Sequence, residues 1–239
     1  MTTPFRVALT FDAEQPDRPA LPGTTDRLLD ALAAADATAT FFLQGRWVQA
    51  EPGTAARIAA TGHLVGNHSH HHARLTLLTA AGIARDARAA EAAIRAATGA
   101  DPRPWYRCPF GAGAGTSRVV DALARAGYRH VAWDVDGRDW AGGSARAIEE
   151  RVVAGALAHG DGAVVLLHGW PAATPDAVTG IARRLRDAGA RFVRVDELAY
   201  PASSLSISRT SSTTTASESS ARPPIVASSA SDSGSATDT

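Results

Sequence analysis

The chain of 239 residues carries 24 basic and 24 acidic side chains, so its formal net charge is zero. Its length is sufficient for one sizeable domain with its own core, and its balanced charge argues against a nucleic-acid or anionic-membrane partner. The single cysteine excludes an internal disulfide, and no apolar run approaches the roughly 20 residues of a membrane-spanning helix. We therefore expect no nucleic-acid partner and no membrane segment, while the oligomeric state is left open.

The two ends of the chain predict its location and its domain boundary. The N-terminus, MTTPFRVALTF, lacks a charged n-region and a small-residue cleavage site, which predicts a cytoplasmic location for the sequence as it stands and an extracellular one if the true start lies upstream. From Pro201 to Thr239 the residues are almost all Ser, Thr, Ala, Asp and Pro. Such a segment cannot bury enough apolar surface to offset its ordering entropy. We predict one barrel domain over residues 1–200 and a disordered Ser/Thr-rich tail over residues 201–239.

Short β-rich runs and longer alanine-rich amphipathic segments alternate between about residues 5 and 199. This alternation predicts a parallel sheet with helices outside it, and about seven strands favour a barrel, complete or incomplete. In such a barrel the chemistry lies at the carboxyl ends of the strands. The predicted strands are Arg6–Phe11, Ala39–Leu43, His63–Gly66, Trp105–Arg107, His130–Trp133, Ala163–Leu167 and Arg191–Val195. The predicted helices are Thr24–Ala35, Gly53–Thr61, Thr79–Thr98, Ser117–Ala126, Ser144–His159 and Pro175–Ala188.

Two carboxylates follow the first predicted strand. Asp12 and Glu14 are two residues apart, so both face the same side if the strand continues extended through them. An ordinary acidic junction between a strand and a loop would give the same pattern. The pair therefore indicates a site only if other strand ends supply partners.

Four of the eight histidines lie in the segment GNHSHHHARLT, after the third predicted strand. His68 and His72 are four residues apart, so a helical turn would place both imidazoles on one face, where they could bind one metal ion. His70 and His71 would point elsewhere. Two neutral imidazoles and one carboxylate match the ligand set of catalytic zinc, which leaves one position open for water. The first strand supplies such a carboxylate.

Polar residues also follow the fourth and sixth predicted strands. Arg107 ends the fourth strand, where its guanidinium could pair with a buried carboxylate and hold it ionised. The next turn contains Pro109 and Gly111, and the backbone N–H of Phe110 could polarise a carbonyl. His168 ends the buried sixth strand and could be a general acid or base. The alternatives are a plain turn and a hydrogen-bonded structural histidine.

These pieces, in this order, resemble the motifs of the polysaccharide deacetylase family, also called the NodB homology domain or carbohydrate esterase family four. The family pattern consists of a T-F-D-D-like motif, a histidine motif that begins H-[ST], and then R-x-P-[FY]-G, D-x-x-D-W and L-x-H. The resemblance extends from about residue 5 to residue 199 and implies an α/β fold, a distorted (β/α)₇ barrel. The corresponding segments are Thr10–Asp12, His68–His72, Arg107–Gly111, Asp136–Trp140 and Leu166–His168.

The resemblance implies a metal-dependent hydrolase that removes N-acetyl groups from N-acetylglucosamine units of chitin, chitooligosaccharides or peptidoglycan, so a carbohydrate substrate is the expected partner. Asp12 would be the general base for the attacking water, and His168 the general acid that protonates the leaving amine. Arg107 would orient Asp12, Asp136 would raise the pKa of His168, and the Phe110 N–H would help hold the oxyanion. The remaining implied residues are the metal ligands His68 and His72 and the substrate-binding residues Pro109 and Trp140.

One position departs from the family pattern. The second aspartate of the first motif usually binds the metal, and here that position is Ala13. Some relatives carry the carboxylate one residue later, so Glu14 is predicted as the third ligand, its extra methylene offsetting the shift. Otherwise two histidines would bind metal weakly, or the protein would be a metal-independent relative. The predicted cofactor is a divalent metal ion; the ligand set favours zinc, and cobalt, nickel and iron accept it too.

The sequence leaves three functions open. The first is the N-acetyl deacetylase described above. The second keeps the fold but acts on O-acetyl esters of xylan, or on a small cyclic amide as in the allantoinase-like relatives. The third is a catalytically silent carbohydrate-binding barrel, which Ala13 supports and the intact base, acid, arginine and histidine pair oppose. Cell-wall polymers lie outside the membrane while no export signal is visible, which adds weight to the small-amide alternative.

Overall fold

Helices pack against a parallel sheet in the computed structural model, which describes residues 4–14 and 21–198. The α/β order predicted from the sequence is confirmed, and the predicted tail lies outside the described residues. Within the described residues, no helix is long and apolar enough to cross a lipid bilayer. The strands are β1 Phe5–Ala13, β2 Thr40–Leu43, β3 Leu64–Asn67, β4 Trp105–Tyr106, β5 Arg129–His130, β6 Val135–Asp136, β7 Ala163–His168 and β8 Ala190–Phe192. The helices are α1 Thr24–Ala34, α2 Gly45–Ala50, α3 Pro52–Ala60, α4 Ala80–Thr98, α5 Ser117–Arg125, α6 Ala145–His159 and α7 Thr174–Asp187.

The sheet curls into an incomplete barrel. Its strands follow the order β5-β4-β3-β2-β1-β7-β6, and β8 pairs with the first residues of β1. The strand pairs of the described residues are all parallel. Parallel strands joined by helices place their carboxyl ends at one edge of the sheet, where the predicted site residues lie. Strand β1 lies between β2 and β7 in this order.

The stretch between β5 and β6 links the two ends of the sheet. The sequence predicts one strand over His130–Trp133, but the structure has two short strands with irregular backbone between them. The N–H of Val131 donates to the carbonyl of Tyr106 on β4 at 2.7 Å, and the N–H of Asp134 donates to the carbonyl of Val164 on β7 at 2.8 Å. The prediction is wrong because this stretch leaves one side of the barrel and joins the other, so its hydrogen bonds are divided between two strands.

Helix α2 is not predicted from the sequence, because six residues are too few to show an amphipathic period. Its first N–H groups are satisfied by the segment that follows β3. The N–H of Gly45 donates to the carbonyl of Ser69 at 2.9 Å, and the N–H of Arg46 donates to the carbonyl of His70 at 3.2 Å. The start of α2 therefore helps to hold the histidine-rich segment in place.

Side chains of β1 alternate between two layers, as expected for a strand. The odd-numbered residues of Val7–Ala13 are buried in the main hydrophobic cluster, together with apolar residues of the helices. The even-numbered side chains face the other way, with Ala8 in a separate buried cluster that includes Phe42. Because Ala13 faces the helices, the side chains of Asp12 and Glu14 share the inner side of the barrel.

We expect Gly66→Ala to destabilise the protein, because a Cβ atom there would lie 2.7 Å from ring atoms of Phe42 and 3.2 Å from Cβ of Trp105. Overpacking of a buried position typically costs about 1–3 kcal/mol. Gly53→Ala is the matched control, since a Cβ atom at that helical position meets nothing within 4 Å and alanine is better than glycine in a helix by up to about 1 kcal/mol. Urea unfolding of the two variants measures the difference. A Gly66→Ala protein as stable as the wild type would contradict this packing.

Candidate active site

Polar side chains meet at the carboxyl edge of the sheet. Asp12 on β1 and His168 on β7 are direct partners in the strand register. His68 directly follows β3 and Arg107 directly follows β4. Glu14 comes one residue after the end of β1. The ends of these strands therefore bring the five side chains together at the carboxyl edge of the sheet.

Glu14, His68 and His72 form a cluster whose potential ligand atoms all lie within 4.8 Å of one another. His68 Nε2 lies 3.1 Å from Glu14 Oε2, and His72 Nε2 contacts the same oxygen. The Nδ1–H of His68 donates to the carbonyl of Arg107 at 3.0 Å, which directs Nε2 toward Glu14. A backbone bond at the far ring nitrogen is how proteins commonly orient a metal-ligating histidine. This donor set fits a divalent metal ion, and two imidazoles with one carboxylate suit zinc.

Opposite charges in this cluster lower the pKa of Glu14 and raise the pKa of His68. Burial alone would raise the pKa of Glu14, but hydrogen bonds to His68 and His72 outweigh burial and hold the pKa well below its ordinary value. Burial alone would lower the pKa of His68, but the negative charge of Asp12 and the contact with Glu14 outweigh it and raise the pKa. Glu14 is therefore anionic over the whole physiological range, as a carboxylate ligand for a cation must be.

The segment that carries His68 and His72 is an irregular loop, whereas the sequence predicts a helical turn. Ser69 and His72 have left-handed φ angles of 70° and 56°. The helical prediction is wrong because left-handed residues at these two positions interrupt a right-handed helix. The N–H groups of His70 and His71 donate instead to the buried carboxylate of Asp86 on α4. The loop still brings the rings of His68 and His72 together, with centroids 5.0 Å apart.

Asp12 is buried between Arg107 and His68. Arg107 Nη1 donates to Asp12 Oδ1 at 3.0 Å and to Thr10 Oγ1 at 2.8 Å. The guanidinium is completely buried and lies 4.2 Å above the ring of Phe42. The other carboxylate oxygen, Oδ2, lies 3.5 Å from His68 Nε2 and faces the Glu14–His68–His72 cluster. The structure thus places Arg107 against Asp12, as the sequence predicts.

His168 is held by Asp139 and not by Asp136. The Nδ1–H of His168 donates to Asp139 Oδ1 at 2.8 Å, and its backbone N–H donates to Asp139 Oδ2 at 2.8 Å. Thr174 Oγ1 donates to the same Oδ2 at 2.7 Å. Asp136 instead accepts from the backbone N–H of Arg138 at 2.8 Å. The predicted role of Asp136 is wrong because the chain turns at Arg138, whose φ is 51°, and the aspartate beyond the turn is the one that faces β7.

The pair of His168 and Asp139 favours a protonated imidazole. Burial alone would lower the pKa of His168, but the hydrogen bond to Asp139 and its negative charge outweigh burial and raise the pKa to about 9. The charges of Asp12 and Glu14 act in the same direction. His168 therefore carries a proton at neutral pH, which is the state that a general acid requires.

We expect Asp139→Asn to narrow the pH range of hydrolysis at its alkaline end. A general acid must be protonated, so activity falls as pH rises through the pKa of His168. Loss of the Asp139 charge lowers that pKa, so the alkaline limb should move to lower pH by about one to three units. Initial rates between pH 6 and 10 measure the limb, with Asp136→Asn as the control. An unchanged limb in Asp139→Asn, or an equal shift in Asp136→Asn, would contradict the pairing.

An exposed aromatic ring borders the Glu14–His68–His72 cluster. The ring of Phe110 is 55% exposed and lies 4.5 Å from the ring of His72. Phe110 lies in the tight turn predicted after β4, and its backbone has a left-handed φ of 57°. Pro109, predicted to bind substrate, is buried at the start of that turn and shapes it. Phe110 is therefore the residue of this turn that presents a surface to a ligand.

A second exposed aromatic ring directly follows Asp139 in the chain. Trp140 is 46% exposed. The structure places a different tryptophan, Trp170, beside His168, with ring centroids 6.0 Å apart. The sequence predicts Trp140 as a substrate-binding residue and gives no role to Trp170, which comes two residues after His168. The sequence also gives no role to Asp86. The signal that could have identified it is an acidic residue at a buried position of α4.

Comparison with known proteins gives consistent matches. Residues 1–131 match the polysaccharide deacetylase family model. A chitooligosaccharide deacetylase from Bradyrhizobium sp. (strain ANU 289) is 36% identical over 196 residues, which are 81% of each chain. The peptidoglycan-N-acetylglucosamine deacetylase PgdA of Listeria monocytogenes is 33% identical over 193 residues, covering 81% of this chain and 38% of the relative. A solved T48 deacetylase with substrate has a TM-score of 0.70 and 34% identity, covering 81% of this chain and 89% of that one.

The fold and the matches place the chain among proteins related to carbohydrate esterase family four. The chain belongs to the polysaccharide deacetylase family. It spans 38% of the length of the Listeria relative, which is therefore a much longer protein. The parallel, curled sheet agrees with the distorted (β/α)₇ barrel that the resemblance implies.

Proposed function

We propose that this protein is a metal-dependent hydrolase that removes N-acetyl groups from N-acetylglucosamine units of a polysaccharide or oligosaccharide. One observation carries the proposal. A possible metal-ligand cluster, Glu14–His68–His72, lies beside the carboxylate of Asp12, and Asp12 is the register partner of His168 on the adjacent strand. A buried base candidate and a protonated acid candidate thus lie at the same edge of the sheet as a possible metal site, which suits hydrolysis of an amide.

The metal would be held by Glu14, His68 and His72. When bound, a divalent ion supplies Lewis acidity that polarises the acetyl carbonyl and makes water a better nucleophile at neutral pH. Zinc is the ion we propose, because two imidazoles and one carboxylate are a common catalytic zinc set. The side chain of Ala13 faces the helices, so Glu14 takes the place of the aspartate that family members usually carry at position 13.

Asp12 and His168 would divide the proton transfers. Asp12 would accept a proton from the attacking water at Oδ2, because its Oδ1 is already engaged by Arg107. His168 would donate the proton on Nε2 to the leaving amine, because its Nδ1–H is engaged by Asp139. Separating base and acid onto adjacent strands lets one face of the amide be attacked while the nitrogen is protonated from the other side.

The remaining residues would bind the substrate. The backbone N–H of Phe110 would donate to the oxyanion, and its exposed ring would contact the sugar. Trp140 and Trp170 would form the aromatic side of the site nearer to Asp139 and His168. Aromatic rings supply a large apolar surface for the C–H faces of a sugar at low conformational cost.

Deacetylation assays on several substrate classes test the proposal. Zinc-loaded protein should release acetate and free amine from chitooligosaccharides or from peptidoglycan. A chelator should abolish the activity, and added zinc should restore it. Acetate release from acetylated xylan alone, or ring opening of a cyclic amide alone, would instead support the esterase or small-amide alternatives. Sugar binding without turnover of any of these substrates would support the silent barrel.

A further inference from the structure

The buried carboxylate of Asp86 has no part in the chemistry proposed above, yet it is the centre of a hydrogen-bond network. Asp86 lies on α4 with only 7% of its surface exposed. It accepts hydrogen bonds from Ser69 Oγ at 2.6 Å, from the His70 N–H at 2.9 Å and from the His71 N–H at 3.2 Å. All three donors belong to the loop between the two histidine ligand candidates. The charge of Asp86 is thus directed at the loop backbone.

This network fixes a backbone conformation that the loop would not adopt by itself. Ser69 and His72 both have left-handed φ angles, which are unfavourable for residues with a Cβ atom. Ser69 Oγ donates to Asp86 and accepts from the backbone N–H of His72 at 3.1 Å. Asp86 therefore reaches the backbone of His72 through one intervening hydroxyl group.

The two histidines depend on this network to different extents. His68 directly follows β3, and its Nδ1–H donates to the carbonyl of Arg107 at 3.0 Å, so it has anchors that do not involve Asp86. His72 lies beyond the left-handed residue Ser69, and its backbone N–H is held by the Ser69 hydroxyl. Loss of Asp86 should therefore displace His72 more than His68.

We propose that Asp86 is a positioning residue that sets the affinity of the site for its metal ion by holding His72 toward Glu14. The proposal rests on the metal site of the proposed function. A carboxylate that accepts from one buried hydroxyl and two partly buried N–H groups cannot be removed without leaving those donors unpaired, so the loop rearranges to regain partners. The expected consequence is a site that retains Glu14 and His68 and loses the contribution of His72.

Metal affinity measured on four variants tests this. The variants are Asp86→Asn, Ser69→Ala, His72→Ala and the double variant Asp86→Asn/His72→Ala, and the matched control is Asp121→Asn, which removes an exposed aspartate of α5. Zinc Kd is measured by competition with a chromophoric chelator. We expect Asp86→Asn to weaken zinc binding about 10- to 100-fold, the range typical of outer-shell partners of metal ligands. Ser69→Ala should also weaken it, and Asp121→Asn should leave it unchanged.

The double variant separates positioning of His72 from a general loss of stability. If Asp86 acts through His72, the double variant binds zinc as weakly as His72→Ala alone, since the effects of coupled residues are not additive. A thermal unfolding scan of each metal-free variant shows that the protein measured is folded. Wild-type zinc affinity in Asp86→Asn, or independent and additive losses in the double variant, would overturn the inference. Absence of zinc binding by the wild type would overturn the proposed function itself.

Discussion

Replacing Glu14 with alanine is expected to remove both the bound metal and the hydrolytic activity while leaving the protein folded. Glu14 is the carboxylate of the cluster, and its Oε2 contacts both His68 and His72. Two imidazoles without a carboxylate lose the negative charge that compensates a divalent ion. We expect the affinity for zinc to fall by more than about 100-fold, beyond the range typical of outer-shell changes. Metal content by mass spectrometry and amine release from chitooligosaccharides measure the two losses.

A matched control isolates the role of Glu14 from a general change in charge. Glu150 on α6 is exposed and pairs with Arg146 at 2.8 Å, so Glu150→Ala should keep both metal and activity. The neighbouring Ala13 cannot take over in Glu14→Ala, because its methyl side chain has no atom that can bind a metal ion. One zinc ion per chain in Glu14→Ala, with Kd as in the wild type, would show that the metal is bound elsewhere.

Replacing Asp12 with asparagine is expected to abolish turnover while the metal stays bound. The amide keeps the shape of the carboxylate and can still accept from Arg107, but it cannot take a proton from water. Loss of a general base typically costs about 10²- to 10⁴-fold in rate. The ligand atoms of Glu14, His68 and His72 are unchanged, so the zinc Kd should stay close to that of the wild type. Single-turnover deacetylation and zinc competition on the same sample give both values.

Comparison of the two variants separates the proposed metal-binding role of Glu14 from the proposed role of Asp12 as general base. Glu14→Ala should lose metal and rate together, and Asp12→Asn should lose rate alone. Asp121→Asn, which neutralises an exposed aspartate, should lose neither. Wild-type rates in Asp12→Asn would mean that another group accepts the proton. Loss of zinc from Asp12→Asn would make Asp12 a ligand and not a base.

Sequence periodicity predicts the strands and helices well because it reflects which face of each element is buried. The alternation of β1 shows directly that Asp12 and Glu14 share a side and that Ala13 does not. The strand ends predict where the chemistry lies, because all carboxyl ends of a parallel sheet meet at one edge. The pairing of Arg107 with Asp12 follows the same logic, since both come from strand ends that face the barrel interior.

Sequence patterns fail where the backbone leaves regular structure. The spacing of His68 and His72 correctly suggests that they meet, but they do so through a loop that Asp86 holds and not through a helical face. The prediction of Asp136, and not Asp139, as the partner of His168 fails for the same reason, because the left-handed turn at Arg138 has no signature in the periodicity of the sequence. Asp86, 17 residues beyond Ser69, is recognised as the partner of this loop only when the elements are packed.

The register between β1 and β7 has a mechanical consequence for the two ends of the site. Six consecutive residue pairs, from Val7 with Ala163 to Asp12 with His168, lock the two strands together. The distance between the base and acid candidates is therefore set by a stiff ladder that cannot slip by one residue without reversing every side chain. His72 and Phe110 lie on loops and have no such ladder. Sequence change in those loops can reshape the side of the site proposed to bind the sugar, while the spacing of Asp12 and His168 stays constant.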